Sequence, residues 1–79
     1  MLEGEQSQWK IFPNPTKDYL NVSISKEMTG KEISIFDASG KKIFSQVITE
    51  GNIKIKTQGL PTGVYFLNVG YEMKQFLKE

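Results

Sequence analysis

Carboxylates and lysines are the main side chains that could take part in catalysis or ligand binding in this 79-residue sequence, because it contains neither histidine nor cysteine. An imidazole base, a thiolate nucleophile, a disulfide and the usual zinc ligands are therefore all missing. Paired carboxylates could still hydrolyse a glycoside or bind calcium. None of the nine acidic residues follows the spacing of a calcium loop, and Asp37 with Ser39 is the best remaining metal candidate. We expect a domain that is not an enzyme and that holds no metal or other cofactor.

Charge and hydropathy argue against a nucleic acid and against the membrane interior as partners. The sequence has ten lysines and nine acidic residues, for a net charge of +1, and it has no arginine that could form bidentate hydrogen bonds with guanine or phosphate. No apolar run approaches the roughly 20 residues of a membrane span. We expect no nucleic-acid partner and no direct membrane insertion.

The chain ends with two lysines, Lys74 and Lys78, placed around Phe76 and Leu77. Residues four apart in a strand lie on the same face, so both ammonium groups should point the same way. We expect them to be exposed. Lysines on an edge strand can protect it from pairing with other chains, and a partner can equally recognise them.

Proline-rich corners occur at two places. Pro13-Asn14-Pro15-Thr16 is expected to form a rigid corner between the first two strands, or a recognition epitope, since each proline fixes φ and removes a hydrogen-bond donor. Leu60-Pro61-Thr62-Gly63-Val64-Tyr65 places a phenol just after a second corner. There the hydroxyl of Tyr65 can bond to the backbone across the corner, as in the tyrosine corner of sandwich domains.

The elements that must position these residues are short strands separated by Gly, Pro, Asn and Asp, with no competing helical period. Turns are expected at 37–40, at 50–52 and at Gly70. The predicted fold is all-β, a seven-stranded immunoglobulin-like antiparallel β-sandwich, with a small barrel as the alternative. Residues 1–8 are interpreted as a linker or a remnant of cloning, and 9–79 as the domain. The predicted strands are Trp9–Phe12, Tyr19–Ser25, one around Ile33 and Ile35, Lys42–Ile48, one around Ile53 and Ile55, Val64–Val69, and Met73–Leu77.

Several of these segments together resemble one family, the type A C-terminal sorting domains of the type IX secretion system of Bacteroidetes. The resemblance runs from about Trp9 to the last residue. Two departures are the short Gly70-Tyr71-Glu72 link and the presence of Glu79 after the final lysine. The matching segments are Ile11–Thr16, Tyr19–Val22, Ile33–Asp37, Gly40–Lys42 and Leu60–Val69.

The resemblance implies that the domain is a sorting signal for an upstream cargo domain in the same parent chain. An outer-membrane translocon would recognise the folded sandwich after transit through the periplasm, and the cargo would reach the cell surface or the medium. A sortase-like peptidase would then remove the domain, cutting in or before Glu3–Gln8. The family's recognition elements would be Pro13, Asn14, Pro15, Gly63, Val64, Tyr65, Lys74 and Lys78. Among them we expect Gly63 and Tyr65 to be scaffold and the two lysines to be recognised, because exposed charges contribute little to stability.

A second function class stays open at this stage. A Leu-Pro-x-Gly corner before a tyrosine strand also occurs in fibronectin type III-like modules, so an adhesion or carbohydrate-binding β-sandwich is the alternative. Such modules usually run to about 100 residues with a buried tryptophan on a central strand. The only tryptophan here, Trp9, lies at the start of the domain.

Overall fold

Alternation of apolar and polar residues forms the strands that line the core. In β2 (Tyr19–Ile24), the side chains of Leu20, Val22 and Ile24 are buried. In β5 (Asn52–Lys56), Ile53 and Ile55 are buried between exposed neighbours. Side chains in a strand point alternately to its two faces, so each of these strands has one face in the core and one in solvent.

The computed structural model describes residues 9–79, and the interpretation of 1–8 as a linker concerns residues outside that range. Between β2 and the next strand lies a single turn of 3₁₀ helix, Lys26–Met28, which Ser25 caps at its start. The seven predicted strands are all present. The other five are β1 (Trp9–Phe12), β3 (Glu32–Asp37), β4 (Lys42–Val47), β6 (Gly63–Val69) and β7 (Glu72–Lys78).

The strands form two antiparallel sheets that pack face to face. One sheet has the order β1-β2-β5 and the other has the order β4-β3-β6-β7. The predicted antiparallel sandwich is therefore confirmed. Its core combines the inward side chains of both sheets, the largest of which are Trp9, Phe76, Leu20, Ile33, Ile35, Ile48 and Leu67.

Two tight turns hold the four-stranded sheet in register. Gly40, with φ +90°, ends the loop between β3 and β4, as the sequence predicts. Gly70, with φ +61°, begins the two-residue connection between β6 and β7. Both conformations are readily adopted only by glycine, which has no Cβ to clash with the backbone.

The segment after β4 passes from one sheet to the other. The predicted strand Lys42–Ile48 ends one residue early, at Val47, and the backbone of Ile48 bonds to the two residues that precede β3. Its amide donates to the Lys31 carbonyl and its carbonyl accepts from the Gly30 amide, both at 2.9 Å. The side chain of Ile48 is thereby buried between the sheets, and Glu50-Gly51-Asn52 links strands of different sheets.

Strand β6 is central, between β3 and β7, as its apolar sequence predicts. Tyr65, Leu67 and Val69 point into the core and are buried. Because this strand is apolar at both alternating positions, its sequence predicts burial on both faces or beneath a covering edge. Only the inward face is buried, since Val64 and Phe66 on the other face are partly exposed. No second layer covers that face within the described residues.

Candidate recognition surface

The Pro13–Thr16 segment closes the outer edge of β7. After β1 the chain leaves the three-stranded sheet and crosses to the other one, where the Thr16 amide donates to the Leu77 carbonyl at 2.8 Å. The Glu79 amide donates to the Thr16 carbonyl at 2.9 Å, which completes a short parallel bridge. The predicted corner between β1 and β2 is present, and it also joins the start of the fold to its end. We call Pro13–Thr16 together with Gln75–Glu79 the terminal clasp.

The side chain of Asn14 forms hydrogen bonds with β7 at a point where the two neighbouring prolines have no amide to donate. Asn14 accepts a hydrogen bond from the Leu77 amide through Oδ1 at 2.9 Å, and its Nδ2 donates to the Gln75 carbonyl at 3.4 Å. An asparagine amide offers the same donor and acceptor as a peptide group. Asn14 therefore extends the ladder across a stretch in which Pro13 and Pro15 cannot donate.

Two buried threonines anchor the terminal clasp to the other sheet. The Thr16 hydroxyl donates to the Tyr19 carbonyl at 2.5 Å and lies 3.3 Å from the Thr57 hydroxyl. Thr57, which follows β5, donates to the Lys17 carbonyl at 3.1 Å. Neither threonine was singled out from the sequence, since a threonine 41 residues away in the chain gives no local signal of this contact.

The expectation that both terminal lysines are exposed is wrong. Lys74 and Lys78 share a face, as predicted, but Phe76 lies between them on that face and is 0% exposed. The shared face is thus the inward one. Lys78 is only 8% exposed and Lys74 is half-buried.

Each of these lysines has a specific partner. The ammonium group of Lys78 donates to the Glu79 carbonyl at 2.9 Å, while its alkyl chain lies in the protein. The ammonium group of Lys74 lies 4.9 Å from the centre of the Trp9 ring, a cation–π contact. The C-terminal part of the β7 edge is closed by the terminal clasp, not protected by outward-pointing lysines.

The second corner has the predicted tyrosine contact. The Tyr65 hydroxyl donates to the Pro61 carbonyl at 2.6 Å, and its ring stacks on Phe76 with centroids 5.6 Å apart. In the register of β6 with β7, Gly63 lies opposite Lys78 and Val64 lies opposite Leu77. The second corner therefore adjoins the terminal clasp.

The structure thus brings most of the sequence-predicted recognition residues to one end of the sandwich. Lys74 is the exception, since it pairs with Leu67 further along the sheet. Asp37, the best metal candidate, is the last residue of β3, and its Oδ1 accepts from the Ser39 hydroxyl at 2.7 Å and from the Lys41 amide at 3.0 Å in the turn that follows. These bonds, led by the one from Ser39, lower the pKa of its carboxyl.

Residues 9–79 contain neither a cluster of metal ligands nor a membrane-spanning helix. No three His, Cys, Asp or Glu side chains of that range lie close enough together to hold a metal ion. None of its helical segments has the length and apolar character needed to cross a bilayer.

The fold and the terminal clasp define a small antiparallel β-sandwich module whose first and last segments are joined by backbone hydrogen bonds. The family model of the secretion system C-terminal sorting domain matches residues 10–79, and the chain belongs to that family. This family is the C-terminal sorting signal of type IX secretion, which directs an attached cargo protein to the cell surface or out of the cell. The resemblance stated from the sequence is confirmed.

A curated relative supports the same assignment. The chain is 29% identical over 59 residues to Beta-agarase A of Zobellia galactanivorans. The aligned region covers 75% of this chain and 11% of the agarase, so the chain spans about a tenth of the length of this curated relative.

Proposed function

We propose that the type IX outer-membrane translocon recognises the folded domain at the terminal clasp while the cargo is still in the periplasm. The observation that supports this proposal is the pairing of Pro13–Thr16 with the end of β7. That pairing exists only in the folded sandwich, because it joins residues more than sixty positions apart. A partner that contacts it would therefore select folded domains over unfolded ones.

Five of the family's eight motif residues fall into two groups on this proposal. Tyr65 and Lys78 are buried and hold the corner in place, which makes them positioning residues. Pro13, Asn14 and Pro15 are exposed and contact the translocon. Gln75 and Leu77, exposed on β7 beside them, complete the surface that is recognised.

A sortase-like peptidase would remove the domain by cutting before β1, in or ahead of Glu3–Gln8. Trp9 is 1% exposed and pairs with Ile24, so from this residue onward the backbone belongs to a ladder. A peptidase needs an accessible, extended backbone, which residues inside a sheet do not offer. On this proposal the domain acts as the sorting signal, its first strand limits where the peptidase can cut, and it takes no catalytic part itself.

Export of a reporter tests the recognition surface. The domain is fused behind a periplasmic reporter with a Sec signal in a type IX-competent host, and exported reporter is compared with periplasmic reporter. Gln75→Ala/Leu77→Ala alters the terminal clasp without removing its backbone hydrogen bonds. Gln46→Ala/Val47→Ala is the matched control, since these residues are also exposed on an edge strand of the same sheet.

We expect the variant of the terminal clasp to fold, with an unchanged β-type dichroism spectrum, and to leave the reporter in the periplasm. The control variant should export like the parent. If both variants export normally, the terminal clasp is not recognised. If both fail while folded, recognition extends over the sheet and is not confined to this corner.

A further inference from the structure

The outer face of the three-stranded sheet concentrates positive charge. Lys10 of β1 and Lys54 and Lys56 of β5 all point away from the core and are exposed. The remaining outward strand positions of this sheet are aromatic, amide or hydroxyl residues, and none is a carboxylate. The lysine face comprises Lys10, Phe12, Tyr19, Asn21, Lys54 and Lys56.

Two exposed aromatic rings share this face with the lysines. Phe12 is 49% exposed and Tyr19 is 43% exposed. In the register of the sheet, Phe12 is opposite Asn21, which is in turn opposite Lys54. Lys10 is two residues from Phe12 along β1, and Tyr19 is opposite Lys56, so each ring has a lysine of this face next to it in the sheet. The outer strands β1 and β5 are about 10 Å apart across β2.

The arrangement of this face is fixed by contacts on the sheet. The ammonium group of Lys54 lies 4.7 Å from the centre of the Tyr19 ring, and Asn21 donates from Nδ2 to the Phe12 carbonyl at 3.2 Å. The opposite face of the sandwich differs in charge, because there Lys42 lies 3.9 Å from the carboxylate of Glu32. Within residues 9–79, the exposed strand lysines that form no ion pair with a carboxylate thus lie on this side of the sandwich, although the net charge of the chain is only +1.

We propose that the lysine face binds an anionic polysaccharide. The carboxylate or sulfate groups of such a glycan complement the three ammonium groups, and the C–H faces of its sugar rings pack on exposed aromatic rings. A flat sheet surface can accommodate an extended glycan without a pocket. An acidic protein surface fits less well, because lysine is depleted at the cores of protein interfaces. The site shares no residue with the terminal clasp, and its glycan would be met outside the outer membrane, where the sorting signal directs the protein.

Calorimetric titration of the 79-residue chain tests this site. The probes are polygalacturonate and dextran sulfate as anionic glycans, neutral dextran, and poly-L-glutamate as an acidic polypeptide. The variant is Lys10→Gln/Lys54→Gln/Lys56→Gln, with melting temperature recorded to confirm folding. A control variant with the same change in charge is Lys26→Gln/Lys31→Gln/Lys41→Gln, whose residues are exposed elsewhere.

We expect the anionic glycans to bind the parent and neutral dextran not to bind. Removing the three lysines of the face should weaken binding by about tenfold or more, against less than about twofold for the control. Tyr19→Ala should weaken binding of the anionic glycans and leave binding of poly-L-glutamate unchanged. Equal losses in the two lysine variants would mean that net charge alone matters. Equal or tighter binding of poly-L-glutamate would make an acidic protein the partner, and either result overturns the proposal.

Discussion

Replacing Lys78 with alanine removes three methylenes and an ammonium group from a side chain that is 8% exposed. Each buried methylene contributes about 0.8 kcal/mol, so the lost stem is worth about 2 kcal/mol once residual burial in the unfolded chain is discounted. The hydrogen bond to the Glu79 carbonyl adds about 0.5 kcal/mol or more. A domain of this size has about 3–5 kcal/mol of stability in total, so Lys78→Ala should lose roughly half of it.

Lys78→Met is the matched control, because it keeps the aliphatic stem and removes the charge. We expect it to cost less than about 1 kcal/mol, since only the hydrogen bond is lost. Lys74→Ala should also cost about 1 kcal/mol or less, because that side chain is less buried than Lys78 and its cation–π contact with Trp9 is only partly desolvated.

Urea denaturation followed by far-ultraviolet circular dichroism measures these differences, with the midpoint compared at constant slope. A Lys78→Ala variant within about 0.5 kcal/mol of the parent would refute the argument from the buried stem. A methionine variant as unstable as the alanine variant would show that the ammonium group, and not the stem, stabilises the corner. The pair also matters for export, because Lys78→Met removes the charge from a domain that should still be folded.

Two other expectations follow from the hydrogen bonds of Tyr65 at the second corner and of Asp37 at the turn after β3. Tyr65→Phe removes only the bond to the Pro61 carbonyl and should cost about 0.5–1.5 kcal/mol, whereas Tyr65→Ala should cost about 3–5 kcal/mol and leave the domain largely unfolded in urea titrations; equal costs would contradict this division. The folded-state pKa of Asp37 lies below its ordinary 3.8, so its stabilising effect is present above that pH and is lost as pH falls through the folded value. The melting temperature of Asp37→Asn should therefore decline less than that of the parent below about pH 4, and parallel curves would count against the turn contacts.

The sequence by itself determined the strands and the tyrosine corner. Leu20, Val22 and Ile24 alternate with polar residues, and a strand can bury such a set on only one face. Tyr65 follows Pro61 and Gly63 closely enough that its hydroxyl reaches the corner from within the same segment. Gly40 and Gly70 marked the tight turns because few other residues adopt their conformations. All of these features can be recognised from patterns among residues near in sequence.

Only the tertiary structure decided which sheet each strand joins and which face of β7 is buried. That strand carries Met73 and Leu77 on one face and Phe76 on the other, so its alternation alone does not say which face meets the core. Phe76 is buried because it stacks on Tyr65, and this turns Lys74 and Lys78 inward with it. The terminal clasp was equally hidden, because Asn14 and Leu77 are 63 residues apart. Local patterns fix how a strand divides its side chains between two faces, whereas the packing of the whole chain fixes what each face and each edge will meet.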